Sequence, residues 1–320
     1  MKLIAIATTG GDAPGMNAAI RAAVRTAVAE NLKVIGFTRG YAGLLADEFV
    51  PLDSRAVGGM IHRGGTFLKT SRAEAMKSED GISKATYVLR KNGVDGLIVI
   101  GGDGSFRAAC DLYRSSGIPT VGIPATIDND LVGTDTTIGF DTAVNTALEA
   151  IDKIRDTATS HERVFVIEVM GHNRGFIALE VGIGAGAEVI LIPEVKYDTE
   201  VVCQKLEESY DIGKKSGIIV MAEGAGNCMD VTEAIGEKTG FEVRLVRLGH
   251  VQRGGSPTAY SRLIACKMGA ASIRFLLDGK KKDMTGIQAG QIVPVDLEYA
   301  TATNKPIDEQ LYRLALMLAV

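Results

Sequence analysis

The order of apolar and polar positions divides the chain into short hydrophobic runs separated by longer amphipathic segments. The runs begin with "KLIAIATT" (2–9), "LKVIGFT" (32–38), "DGLIVIGG" (95–102), "PTVGIPAT" (119–126) and "RVFVIEVMG" (163–171). They continue with "VILIPEV" (189–195), "GIIVMAEG" (217–224), "EVRLVRLG" (242–249) and "GQIVPVD" (290–296). Each is about strand length, and continuous rather than alternating apolarity is what a strand covered on both faces requires. Helical segments fall between them. In "GMNAAIRAAVRTAVAE" (15–30), Ala19, Ile20, Ala23, Val24, Ala27 and Val28 line one helical face, while Arg21 and Arg25 share another. Strand and helix alternate along the whole length, which predicts an α/β chain of doubly wound, Rossmann-like architecture with largely parallel sheets between helices. No internal repeat or long polar linker interrupts the pattern, and "DGKKKD" (278–283) is expected to be a basic surface turn.

Composition narrows the functions available. With 320 residues, 46% of them hydrophobic, the chain can bury a large core in one big or two medium domains. The 38 glycines, 5% aromatic content and absence of tryptophan suit strand ends rich in tight turns. A net charge of -4 leaves no global basic field for nucleic acid or anionic membrane, so any anion must be gripped locally. The N-terminal apolar run is too short for a secretory signal or a spanning helix, which leads us to expect a cytoplasmic protein. Cys110, Cys203, Cys228 and Cys266 are widely spaced and are expected to be reduced.

Three strand ends carry candidate chemistry. "TTGGDAPGMN" (8–17) leads from the first strand into the first helix, where glycines let the backbone approach a phosphate and helical N–H groups favour one. Gly10 and Gly15 have P-loop spacing, but Met16 and Asn17 replace the Lys and Ser/Thr of a Walker A loop, and the G-x-G-x-x-G turn of a dinucleotide-dependent oxidoreductase is also missing. "IGGDGSF" (100–106) repeats the design with Asp103 between glycines, where a carboxylate can hold magnesium. In open α/β sheets such loops converge on one crevice. "PATIDNDLVGTD" (124–135) then places Asp128, Asn129 and Asp130 after a buried strand. The calcium-loop pattern fails at Val132 and Gly139. The acids either shape a turn or act chemically, one accepting a hydroxyl proton and its neighbour joining Asp103 around magnesium. Cations for a second, anionic substrate occur as Arg72, Arg163, Arg244, His250 and Arg253, and "GHVQRGG" (249–255) combines donors with flexible backbone in a way that suits a sugar phosphate.

Together these motifs resemble the bacterial type of ATP-dependent 6-phosphofructokinase, over nearly the full chain. The points of identity are "GGDAPGMNAAIR", "RGGTFL", "GGDGS", "TIDND", "IGFDTA", "VMG" and "GHVQRGGSP", in family order and spacing. The resemblance implies transfer of the ATP γ-phosphoryl group to the 1-hydroxyl of fructose 6-phosphate by a homotetramer with shared sugar-phosphate sites. It implies Asp128 as base flanked by Thr126 and Asp130, and Asp103 as ligand of Mg2+. Gly11, Arg72, Gly102, Gly104 and Ser105 are implied at the nucleotide phosphates, with Tyr41 near the nucleotide. Met170, Gly171, His172, Glu223, His250 and Arg253 are implied in the sugar-phosphate pocket, with Arg163 and Arg244 from a neighbouring subunit. On this reading residues 1–138, completed near 256–305, bind MgATP, and residues 139–255, completed by 306–320, bind fructose 6-phosphate.

Departures from the family pattern matter too. His172 stands where an arginine is usual, and Arg174 or a protonated His172 is expected to substitute. Gly104 and Ala125 replace the Asp and Lys typical of pyrophosphate-dependent relatives, which favours ATP as donor. Arg21, Arg25, Arg155, Glu188 and Lys214 match an effector site for ADP or phosphoenolpyruvate, although Ser54, with Arg55 beside it, occupies a common arginine position. A non-catalytic sugar-phosphate sensor would have little reason to keep Asp103, Asp128 and Asp130 together.

Overall fold

A computed structural model describes residues 1–319 of the chain. Its elements begin β1 (Leu3–Thr8), α1 (Met16–Ala29), β2 (Lys33–Phe37), α2 (Tyr41–Ala46), β3 (Phe49–Leu52), α3 (Glu79–Lys91), β4 (Gly96–Gly101) and α4 (Asp103–Ser116). They continue with β5 (Thr120–Thr126), β6 (Ile138–Gly139), α5 (Phe140–His161), β7 (Val164–Val169), α6 (Phe176–Ala185), β8 (Val189–Leu191), α7 (Thr199–Asp211) and β9 (Gly217–Ala222). The last are α8 (Cys228–Thr239), β10 (Val243–Arg247), α9 (Ala259–Leu277), β11 (Lys282–Gln288), β12 (Gln291–Asp296), α10 (Leu297–Ala302) and α11 (Glu309–Leu318). The chain divides into two compact units. One comprises Met1–Thr142 and Arg253–Lys305, the other Ala143–Gln252 and the segment from Pro306 onward.

The first unit is built on an eight-stranded sheet in the order β12-β11-β5-β4-β1-β2-β3, with β6 paired to β5. Neighbours β11, β5, β4, β1 and β2 run parallel, and the outer strands β3 and β12 run antiparallel. The parallel strands are covered on both faces: every residue of β4 is buried. The antiparallel edges follow from short connections, because a parallel crossover needs a dozen or more residues. Between β11 and β12 only Ala289 and Gly290 intervene, both at positive φ, the backbone a two-residue hairpin demands. The expected basic surface turn is therefore shorter than the "DGKKKD" stretch, since Lys282 and Asp283 already belong to β11 and pair with Thr120 and Val121 of β5. On α1, Ala19, Ile20, Ala23, Val24 and Ala27 are buried as the periodicity predicts, while Val28 is exposed at the helix end. One core of this unit joins β1, β2, β4 and helices α3 and α4 through Phe37, Leu89, Leu97 and Phe106, all fully buried.

The second unit holds a four-stranded parallel sheet in the order β10-β7-β9-β8. Its core packs Val166, Ile219 and Met221 against Leu206, Cys228 and Ile235 of α7 and α8. β8 ends at Leu191, well short of the apolar run, because a turn closes from the Val195 N–H to the Ile192 carbonyl around Pro193. The four cysteines are free thiols. Burial raises all four, Cys110 to about 11, which makes them packing groups rather than nucleophiles. Among the described residues no helix is long and apolar enough to cross a membrane.

Candidate active site

In the first unit β1 and β4 are neighbours, yet the chain leaves β1 toward β2 on one side and leaves β4 toward β5 on the other. Connections that part in opposite directions open a crevice at the carboxyl ends of the two strands. Both glycine loops lie there. The Thr9 N–H donates to the Ile100 carbonyl at 2.9 Å, joining the two loops at their bases. Gly101 has no room for a side chain, since a Cβ would come within 2.6 Å of both Ser105 Oγ and the Thr9 carbonyl. Gly15, at φ 112°, starts α1, and Gly102 starts α4, and neither helix has a side chain accepting from its first turn. By contrast α3, α7, α8, α9, α10 and α11 are capped by Ser78, Asp198, Asn227, Thr258, Asp296 and Asp308. Two helix N-termini without side-chain caps, at one sheet edge, form a place for anionic oxygens. Gly104 faces open space.

The strand end at β5 adjoins this crevice: a Cβ on Gly102 would lie 3.5 Å from Thr126 Cβ. Thr126 Oγ1 accepts from the Asp128 N–H at 3.2 Å, and Thr137 Oγ1 donates to the Thr126 carbonyl at 2.6 Å. Asn129, between the two acids, is the turn residue proper, with φ 52° and only 4% exposure. Its Nδ2 donates to the Asp135 carbonyl at 3.3 Å. The β11–β12 hairpin holds the far side of the loop: Asp135 N–H donates to the Ile287 carbonyl at 2.7 Å, and Ala289 N–H to Asp135 Oδ2 at 2.8 Å. The residue that makes the turn is thus Asn129, with Asp128 and Asp130 partly exposed on either side.

Asp103 opens α4, and its carboxylate accepts from Arg107 Nε, one helical turn on, at 3.1 Å. Among the described residues no group of three or more His, Cys, Asp or Glu side chains forms a metal cage. Asp103 is engaged by Arg107 of its own helix. Magnesium is commonly held by one or two carboxylates, substrate phosphates and water, so a single carboxylate beside an open glycine fits an ion that arrives with a nucleotide.

Other predicted residues are distributed as follows. Tyr41 is buried, and its hydroxyl donates to the Ser105 carbonyl at 2.7 Å, so it braces the second glycine loop from below. Burial raises its phenol above the ordinary range. Arg72 is exposed and follows a segment tied to the first loop, where Thr8 Oγ1 donates to the Lys69 carbonyl and Thr70 Oγ1 to the Gly10 carbonyl, both at 2.8 Å. Arg253 belongs to this unit and covers Gly11, where a Cβ would lie 2.6 Å from its Nη1.

In the second unit the carboxyl ends of β7 and β9 meet. Gly171 has φ 138° and His172 φ 54°, and Glu223 Oε1 accepts from both of their N–H groups, at 3.2 and 2.7 Å. Met170 is buried behind this turn, while His172 and His250 are exposed. The turn closes from Arg174 N–H to the Gly171 carbonyl at 2.9 Å, and Glu194 Oε1 accepts from Gly175 N–H at 3.1 Å. Arg163 Nε lies 2.8 Å from Glu242 Oε2, and Arg244 donates to the other oxygen of the same carboxylate. The arginines, chiefly Arg163, hold the Glu242 carboxyl below its usual range.

Of the suggested effector residues, Arg155 donates to the Ala185 and Gly186 carbonyls at the end of α6, and Lys214 Nζ pairs with the buried Glu188 at 2.7 Å. Arg21 and Arg25 lie on α1 of the other unit. Sequence reasoning missed Glu242, Glu194 and the support of Asn129. Only Glu242 had a local signal, as the acid opening the "EVRLVR" strand with its two arginines.

Fold and site define a class: an α/β protein that receives phosphorylated ligands at the carboxyl edges of parallel strands. The family described as phosphofructokinase matches residues 3–276. An ATP-dependent 6-phosphofructokinase 1 of Thermus thermophilus is 53% identical over 322 residues, covering 100% of both chains. An ATP-dependent 6-phosphofructokinase of Brevibacillus brevis is 50% identical over 320 residues, again covering 100% of both. Among solved structures, phosphofructokinase from Saccharomyces cerevisiae superposes with a TM-score of 0.90 at 31% identity, over 100% of this chain and 48% of that one. A pyrophosphate-dependent phosphofructokinase from Marinobacter aquaeolei shares the fold, with a TM-score of 0.87 at 23% identity, over 100% of this chain and 91% of that one. The chain belongs to the phosphofructokinase family.

Proposed function

We propose that this protein is a cytoplasmic ATP-dependent 6-phosphofructokinase, which transfers the γ-phosphoryl group of MgATP to the 1-hydroxyl of fructose 6-phosphate and yields fructose 1,6-bisphosphate and ADP. The observation that carries this reading is the adjacency of two helix N-termini lacking side-chain caps to the strand end bearing Asp128. Phosphoryl transfer asks mainly for alignment and neutralisation of charge. In our reading Gly11, Gly102, Gly104 and Ser105 receive the phosphates, Arg72 supplies a cation to the transferring group, and Asp128 takes the proton of the sugar hydroxyl. Thr126 and Asp130 flank the base, Thr126 through its bond to the Asp128 N–H. Asp103 would hold Mg2+, which offsets the negative charge on the phosphate oxygens. Tyr41 acts indirectly, by fixing the Ser105 carbonyl.

The second unit supplies sugar-phosphate contacts through Met170, Gly171 and Glu223 at one turn and through His250. Arg253, from the same "GHVQRGG" segment as His250, adds a further cation. His172 or Arg174 provides the cation that the family places after Met-Gly. In a homotetramer, Arg163 and Arg244 would act on a neighbouring subunit's sugar phosphate. Arg21, Arg25, Arg155, Glu188 and Lys214 would form a site for ADP or phosphoenolpyruvate.

Purified protein is expected to turn over fructose 6-phosphate with ATP and not with pyrophosphate, read by a coupled assay for fructose 1,6-bisphosphate. Turnover with pyrophosphate alone would reassign the donor. Gly104→Asp tests the phosphate position separately. Gly104 has an ordinary φ and open space, so stability should stay within about 0.5 kcal/mol. A carboxylate placed against phosphates should raise KM for ATP about tenfold or more. An unchanged KM with an unchanged melting temperature would put the nucleotide elsewhere.

A further inference from the structure

We propose that Lys305 is a positioning residue for the reaction, clasping the turn that carries the general base. This rests on the assignment of Asp128 as that base. Asn129 separates the two acids in a left-handed conformation, at φ 52°, while almost wholly buried. A non-glycine residue persists there only where its surroundings hold it. Lys305 Nζ donates to Asn129 Oδ1 at 3.0 Å and to the Asp135 carbonyl at 3.1 Å. Asn129 Nδ2 donates to that same Asp135 carbonyl at 3.3 Å. The ammonium, the amide and the carbonyl therefore close a ring of three contacts. The ring fixes which way the amide faces, and with it the backbone leading into Asp128 and Asp130.

The clasp comes from far along the chain. Lys305 is the last residue of its unit before the chain passes to the other, and Pro306 restricts its backbone to extended conformations. A lysine suits the task because one ammonium carries three donors on a flexible stem, enough for two oxygens on different residues. Without it, Asn129 Oδ1 loses its charged donor and the turn can relax. Catalytic groups must be held within about 0.5 Å of productive geometry, and a shift of about 1 Å costs about 10²-fold in rate. A merely structural lysine would change stability and leave the balance between kcat and KM alone.

The test uses the full-length enzyme, with Lys305→Met, Lys305→Arg and Asp128→Asn measured for kcat, for KM of both substrates and for melting temperature. Lys305→Met should lower kcat about 30- to 100-fold with KM for ATP within about twofold, and Lys305→Arg, which can donate to both oxygens, should recover kcat to within about fivefold of the unchanged enzyme. A Lys305→Met enzyme with kcat within about twofold of the unchanged one overturns the inference. So does a loss in Lys305→Met that Lys305→Arg fails to recover. If Asp128→Asn itself leaves turnover intact, the base assignment has failed and takes this inference with it. If Asp128→Asn abolishes turnover and Lys305→Met does not lower it, only the clasp is wrong. Should Lys305→Met not fold, Asn129→Gly keeps the left-handed turn while deleting the acceptor, and it carries the same expected loss of kcat and the same refutation.

Discussion

Replacing Asp128 with asparagine is expected to lower kcat by about 10²- to 10⁴-fold, the range associated with loss of a positioned general base. Asparagine has nearly the same shape, keeps the backbone N–H that donates to Thr126 Oγ1, and cannot take a proton from a sugar hydroxyl. The fold should survive the change. The left-handed position of the turn falls on Asn129, and the loop is held by Asp135, Ile287 and Lys305. KM for ATP should therefore stay close to that of the unchanged enzyme, because the proposed nucleotide site lies on the loops that follow β1 and β4 rather than on this turn. Steady-state kinetics beside a thermal melt decide the matter. A kcat within about tenfold of the unchanged enzyme would mean that the proton leaves by another route, Asp130 being the nearest acid in sequence.

Local geometry explains which parts of this protein could be read from its sequence. The continuous apolar runs that became β1, β2, β4, β5, β7 and β9 are legible because a strand buried on both faces has little use for polar residues. β3 and β11 were not legible. β3 exposes Phe49 and Val50 on an outer strand, and β11 mixes Lys282, Asp283, Thr285 and Gln288 with two large apolar side chains. The glycine loops could be read for a different reason, since a strand end, a tight turn and a helix start all lie close together in sequence. The Asp-Asn-Asp stretch was half legible. Its acids stood out, but the turn belongs to the asparagine between them, and the groups that hold it come from the β11–β12 hairpin and from a lysine 176 residues away. The same limit applies to Arg253, which reads as part of a sugar-phosphate motif and lies over Gly11 of the first glycine loop. Pairings of this kind are set by sheet order rather than by spacing along the chain.

Arg72→Ala is the second change expected to have a large effect, lowering kcat about 10²- to 10³-fold, the cost of removing one preorganised donor from a developing charge. The backbone of Arg72 is well fixed, because the three residues before it are fastened: Lys69 to Thr8, Thr70 to Gly10 and Ser71 to Arg39. Its side chain is exposed, so a guanidinium on this anchored stem, next to the first glycine loop, can reach an incoming anion while contributing little to folding. Melting temperature should accordingly stay almost unchanged, as for other substitutions near the surface that break no buried network. Arg72→Lys should give an intermediate rate, since the charge remains while the planar fork that can grip two phosphate oxygens is lost. An alanine variant with undiminished kcat would show that this arginine does not touch the transferring group, and the cation over Gly11, Arg253, would become the candidate for that task.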